Sequence, residues 1–157
     1  MTKPDFFNIN PDIEPEENLT ERFKRERAEW ATIIKELSAS LKNVLDIPAL
    51  MVDLYSERQR AAEYHHYIMS ILSGVNKTYR ARWNERYEFY TLKSQIRYPN
   101  ETTKATRIQH ELADIVEQRE QLDNQQKYMM QTISSLDAII YGINNRVKIE
   151  EIIRGSK

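Results

Sequence analysis

The chain is expected to be all-α, built from elongated helices. Three observations lead there. Its 157 residues include only three glycines and five prolines, so few positions interrupt a helical hydrogen-bond ladder. Abundant Glu, Lys, Arg, Gln, Ile and Leu lose little side-chain freedom in a helix. Apolar side chains recur at helical spacing, and toward the C-terminus they form a sustained heptad seam.

Residues 1–19 carry five acids against Lys3, with Pro4, Pro11 and Pro15 among them. Phe6, Phe7 and Ile9 are their main apolar content, too little to build a core, so this segment reads as a disordered acidic tail. A single helical domain is expected over 20–157. With Thr20 as N-cap, the periodic residues Phe23, Trp30, Ile34, Leu37, Leu41 and Val44 or Leu45 define a first helix. Ile47-Pro48 ends it, because a proline ring cannot continue the ladder and restricts the residue before it. Pro48 then suits the first turn of a second helix, which presents Leu50, Leu54, Ala61, His65, Ile68 and Leu72 on one side. Gly74 is the expected break or kink before a basic-aromatic segment over 75–98, and continuity across it stays open. Residues 99–103, Pro-Asn-Glu-Thr-Thr, read as a loop with a threonine cap for the next helix.

That next helix, over 103–154, is the longest periodic stretch. Ile108, Leu112, Ile115, Arg119, Leu122, Gln126, Met129, Ile133, Leu136, Ile140, Ile143 and Val147 follow one another in steps of four and three. Such a helix would be on the order of 70 Å long at 1.5 Å per residue. One chain of this size is not expected to cover the whole apolar face, so the seam implies a homo-oligomer. Leu122, Met129, Ile133, Leu136, Ile140, Ile143 and Val147 are its candidate oligomerisation residues. Arg119 and Gln126 occupy seam positions where polar side chains set register or oligomer state, or where the seam is locally exposed. Gly142 would kink this helix or let another helix approach closely.

Several function classes find no support. There is no cysteine, which excludes disulfides, thiolate metal sites and cysteine nucleophiles. A phosphate loop, His-Glu-x-x-His and Gly-x-Ser-x-Gly are all lacking, and the chain is expected not to be an enzyme. His65-His66 project about 100° apart on a helix and do not readily share a metal. Neither metal nor cofactor is expected. No run of about 18 apolar residues could span a membrane, and the N-terminus lacks a signal-peptide pattern, so the protein is read as soluble and intracellular.

The formal net charge of −1 hides an asymmetry: residues 77–107 carry eight Lys or Arg against three Glu. Within residues 77–98, six basic side chains interleave with six aromatic rings. Unstacked bases can lie on aromatic faces while Lys and Arg neutralise phosphates between them. On a helical wheel, Val75, Tyr79, Trp83, Tyr87 and Tyr90 form one stripe, with Arg82, Arg86, Lys93 and Arg97 beside it. The candidate single-stranded DNA contacts are Lys77, Arg80, Arg82, Arg86, Lys93 and Arg97, with Tyr79, Trp83, Tyr87 and Tyr90. A core role for the rings, with the basic stripe as solvated flank, fits the same pattern equally well.

Three stretches carry a family resemblance. Residues 47–57, Ile-Pro-Ala-Leu-Met-Val-Asp-Leu-Tyr-Ser-Glu, form the first, and residues 82–90, Arg-Trp-Asn-Glu-Arg-Tyr-Glu-Phe-Tyr, the second. The third runs from Leu136 through Arg146 and Lys148 to the closing Ile152-Ile153. In this order and spacing the chain resembles, over about residues 47–154, the UvsY family of recombination mediators from T4-like bacteriophages. The first 46 residues are longer and more acidic than the family's usual start, and Thr-Leu-Lys follows Tyr90 where relatives often carry a glycine turn. The resemblance implies a ring-like homo-oligomer in the host cytoplasm that binds single-stranded DNA. It also implies partners: a phage recombinase, which it helps to load, and the single-strand DNA-binding protein displaced there. By the family pattern Arg86, Arg82 and Arg80 would touch DNA, and the C-terminal helix would drive assembly.

The alternative is a helical coiled-coil scaffold or assembly protein that binds no DNA, its rings in the core and its arginines paired with acids. A basic amphipathic helix on a membrane surface is the weaker third reading, since no broad aliphatic face accompanies the charges.

Overall fold

The computed structural model describes residues 18–43 and 46–155, and among these every regular element is helical. Helix α1 spans Leu19–Ser40, followed by a 3-10 turn over Leu41–Asn43. Helix α2 spans Ile47–Glu88 and passes into a π-turn over Phe89–Lys93. Helices α3 and α4 span Glu101–Glu111 and Ala113–Gly155.

The all-α expectation therefore holds, with corrections at the helix ends. Asn18, not Thr20, caps α1: its side chain accepts from the Thr20 amide at 3.0 Å. The tail expected over residues 1–19 is corrected at its end, where Asn18 and Leu19 are the cap and first residue of α1; residues 1–17, on which the rest of that expectation falls, lie outside the described residues. Val44 and Leu45, expected in the first helix, also lie outside them. Asp46 caps α2, accepting from the Ala49 amide at 3.1 Å, so Pro48 sits in a first turn where its missing N–H costs nothing. Asn100 rather than a threonine caps α3, accepting from the Thr103 amide at 2.8 Å. Short polar side chains satisfy the orphan N–H groups in all three cases.

Gly74 does not end a helix. Helix α2 runs through it, and beyond its own helical turn no atom of the described residues lies within 4 Å of where a Cβ would stand. The expected helix over 103–154 is interrupted only at Leu112, where φ is −100° and ψ 16°. Bonds from the Leu112 amide to Ile108 (3.1 Å) and from the Val116 amide to Leu112 (3.0 Å) carry the ladder past it.

The described chain packs as two compact units. The first combines α1, α2 up to His66 and α4 from Lys127 onward. Phe23, Trp30, Leu54, Ala61, Tyr64, Met129 and Leu136 are buried there. Full burial of side chains such as Leu54 and Leu136 contributes roughly 1.5–3 kcal/mol each. Polar bonds register the three helices. Tyr64 on α2 donates to the buried Glu26 of α1, Arg58 on α2 grips Asp137 of α4 through Nε at 2.5 Å and a terminal nitrogen at 3.2 Å, and the Tyr128 hydroxyl donates to the Arg27 carbonyl at 2.8 Å. Arg60 lies 4.8 Å over the Trp30 ring.

The second unit spans Tyr67–Gln126. Ile68, Val75, Ile108, Leu112, Ile115 and Leu122 form its core. Arg119, the polar seam residue, packs against α2: its Nε donates to Asn76 at 2.7 Å and its guanidinium covers Tyr79 at 4.3 Å.

Most of the seam is covered by the chain itself. Leu122, Met129, Leu136, Ile140 and Ile143 are buried, whereas Ile133 and Val147 are half-buried. Gln125 and Thr132 are buried where the strict repeat places Gln126 and Ile133, because a straight α-helix drifts about 20° per heptad against a 3.5-residue repeat. The chain thus covers most of this face but not the whole of it, Ile133 and Val147 keeping part of their surface open. Gly142 likewise has open space beside it and mediates no close approach among the described residues.

Candidate nucleic-acid interface

The predicted contact residues lie in the second unit, on the second half of α2, its π-turn and the segment leading to α3. The helix sorts them into three groups. Lys77, Arg80 and Arg82 are exposed and have no ion-pair partner among the described residues. They do not form one stripe, since Arg80 and Arg82 project about 160° apart at 100° per residue.

Arg86 belongs to a different group. It faces α3, where its Nε donates to Glu111 Oε2 at 2.6 Å and a terminal nitrogen donates to the Tyr90 hydroxyl at 3.2 Å. Its guanidinium lies 4.7 Å from the centre of the Phe89 ring and 5.1 Å from that of Tyr90. Tyr90 donates to the other oxygen of Glu111, which also receives Arg107 Nε at 3.1 Å. The Arg86 and Tyr90 bonds hold the Glu111 carboxyl below the ordinary carboxylate range, and Glu111 with Tyr90 raises Arg86 in turn. The placement of Arg86 on a solvent-facing basic stripe is therefore corrected: its charge is already compensated.

The third group lies past the helix. The π-turn is closed by the Ser94 amide donating to the Phe89 carbonyl at 2.9 Å, after which Ser94 is extended. A π-turn carries more residues per turn than an α-helix, so the wheel position extrapolated for Arg97 does not apply. Arg97 is exposed on irregular chain before Pro99, and Lys93 makes only an exposed 3.9 Å pair with Glu88.

The rings are divided as well. Tyr79 and Trp83 are half-buried with centroids 5.9 Å apart. Tyr87 is exposed along part of its surface, yet its hydroxyl donates to Glu101 at 3.0 Å and Lys104 Nζ stands 4.2 Å over its ring. Lys104 is itself buried, bonded to Glu101 at 2.9 Å and to Thr91 at 3.2 Å. Each predicted ring except Trp83 is thus engaged by a cation or carboxylate of the same unit.

Sequence reasoning missed Glu111, and it counted Arg107, Lys104 and Tyr98 among the cations and rings without giving them a place in the site. Tyr98 stands edge-on to Tyr90 with centroids 5.3 Å apart and lines a cleft of about 460 Å3 with Arg107 and His110. The charge count over residues 77–107 already reached past Pro99 to Lys104 and Arg107, but no periodicity linked them to the rings before the loop.

In the first unit, the exposed apolar side chains of α4 include Met130, Tyr141 and Ile152. Spaced eleven residues apart, they fall within about 40° of one another and form an outward stripe. Among the described residues no cluster of His, Asp or Glu could hold a metal ion, and no helix is long and apolar enough to cross a membrane. No protein-family model, no curated protein and no solved structure matches the chain.

Proposed function

We propose that this chain is a non-enzymatic recombination mediator that binds single-stranded DNA through the second half of α2 and the segment following it. The observation that carries the reading is the set of exposed cations Lys77, Arg80, Arg82 and Arg97, which have no carboxylate partner among the described residues. Such cations can release counterions from a phosphate backbone without first breaking an internal ion pair. Trp83 supports stacking, being a half-buried ring flanked in sequence by Arg82. The mediator role, with a phage recombinase and a single-strand DNA-binding protein as partners in a host cytoplasm, rests on the resemblance over residues 47–154.

Homo-oligomerisation, ring-like by that resemblance, would let many weak basic surfaces engage one strand. The outward stripe of Met130, Tyr141 and Ile152, rather than the buried seam, is the surface we assign to it. The alternative of a helical scaffold without DNA binding is favoured by the internal use of Arg86, Tyr87 and Tyr90. Fluorescence anisotropy with a labelled oligothymidine across a salt titration separates the two. Salt-dependent binding that Arg80→Ala with Arg82→Ala weakens, at unchanged oligomer mass, supports the mediator reading. Binding that is absent, or indifferent to salt and to both substitutions, leaves the scaffold.

A further inference from the structure

Glu111 gathers cationic and hydroxyl donors of the second unit around one carboxylate. Its carboxylate receives Arg86 Nε, Arg107 Nε and the Tyr90 hydroxyl. Two guanidinium groups meet one carboxylate, so the cluster keeps a surplus positive charge. That surplus is displayed on Arg107, whose side chain is 56 % exposed against 21 % for Glu111. A guanidinium offers five N–H donors in a fixed fork; Arg107 gives Nε to Glu111 and is also bonded to the Tyr90 hydroxyl, which leaves further donors of the fork for a ligand.

The cleft beside Arg107 has the volume and wall chemistry for a small anionic ligand. Its volume of about 460 Å3 falls in the usual range of roughly 300–1,000 Å3 for ligand sites. His110, one helical turn after Arg107, lines the same cleft with Tyr98, Thr102 and Thr106. The Tyr98 ring is held in place through Tyr90, which is itself bonded to Glu111. Thr106 donates its hydroxyl proton to the Thr102 carbonyl at 2.9 Å, leaving oxygen lone pairs to accept from a base. A cation, a fixed ring and an acceptor on one cleft match the phosphate, the π-face and the N–H edge of a nucleotide.

We propose that this cleft takes one nucleotide of a single strand, its phosphate on Arg107 and His110 and its base against Tyr98 and Thr106. The proposal rests on the strand-binding reading but places a discrete base pocket where Tyr98, at the end of the basic-aromatic segment, meets Thr106, Arg107 and His110 of α3.

Photocrosslinking of the full chain tests it, using a bromouracil-substituted strand and, separately, 5-bromodeoxyuridine monophosphate. Both probes should crosslink at Tyr98. Arg107→Gln should lower mononucleotide crosslinking about tenfold, in keeping with the loss of a charged hydrogen bond. Thr106→Val leaves the Glu111 cluster intact and should also lower it, with an unchanged unfolding midpoint. Excess inorganic phosphate should compete with the mononucleotide. A strand that binds yet crosslinks only elsewhere overturns the pocket and leaves the strand reading standing. A mononucleotide crosslink at Tyr98 with no strand binding does the reverse. Equal crosslinking by wild type and both variants also overturns the pocket.

Discussion

Arg86 on α2 and Glu111 on α3 meet at 2.6 Å, although 25 residues separate them in sequence. The contact converts the most centrally placed predicted DNA ligand into a helix-to-helix tie. Arg86→Ala is accordingly expected to destabilise the chain by about 1 kcal/mol, the upper range for a partly exposed pair. Arg82→Ala should stay within about 0.5 kcal/mol of wild type, as for an ordinary surface substitution. Urea denaturation of the two variants checks the contrast, and equal midpoints would remove the structural role of Arg86.

Two carboxylates should titrate stability in opposite directions. Bonds from Arg86 and Tyr90 hold the Glu111 carboxyl below the value of 4.5. Its contribution is present above that value and is lost as pH falls through the lower folded value. Burial, only partly countered by Tyr64 and Arg22, raises the Glu26 carboxyl above 4.5. The folded state then binds a proton that the unfolded state has released, so this contribution is complete below 4.5 and lost as pH rises through the raised value. Glu111→Gln should flatten the acid limb of a stability profile, and Glu26→Gln the limb rising from 4.5. Urea midpoints measured at closely spaced pH values would expose a wrong sign for either.

Tyr64→Phe removes the hydroxyl that Glu26, 2 % exposed, accepts from. Leaving a buried acceptor short of a partner costs about 1–3 kcal/mol. A midpoint matching wild type would show that the remaining partners of Glu26, Arg22 among them, suffice.

Gly74 sits within α2 with open space around it. Gly74→Ala should stabilise the chain by about 0.5–1 kcal/mol, since alanine has less backbone freedom to lose on folding. Thermal melting reads this directly. The same substitution at Gly142 should match it in the isolated chain. A stability gain at Gly142 accompanied by loss of assembly would reveal close packing against a second copy.

Tyr141 and Ile152 are 69 % and 71 % exposed, whereas Leu136 is fully buried. Tyr141→Asp with Ile152→Asp should lower the oligomer mass in analytical ultracentrifugation without loss of helical circular dichroism. Leu136→Ala should instead cost about 2–5 kcal/mol of folding stability. An unchanged mass for the double aspartate variant would move the assembly surface elsewhere.

The separation of these effects follows from what helical periodicity can carry. Low breaker content and heptad spacing marked the helices and most of the buried face, including Phe23, Trp30, Leu54, Leu122 and Leu136. Two caps were misplaced by a few residues because Asn18 and Asn100 compete with the threonines that follow them for the same role. Seam positions Gln126 and Ile133 were one residue off, the expected consequence of comparing a 3.6-residue helix with a strict heptad.

The sequence by itself determined that the chain is helical and that cations and rings concentrate between Lys77 and Tyr98. Those are properties of composition and local spacing. Tertiary structure alone decided which of the cations remain available. Arg86 and Arg82 look alike in sequence, four residues apart, yet only one faces a carboxylate on another helix. That pairing depends on the rotation of α2 against α3, and the π-turn beginning at Phe89 ends the wheel that had aligned Arg97 with them.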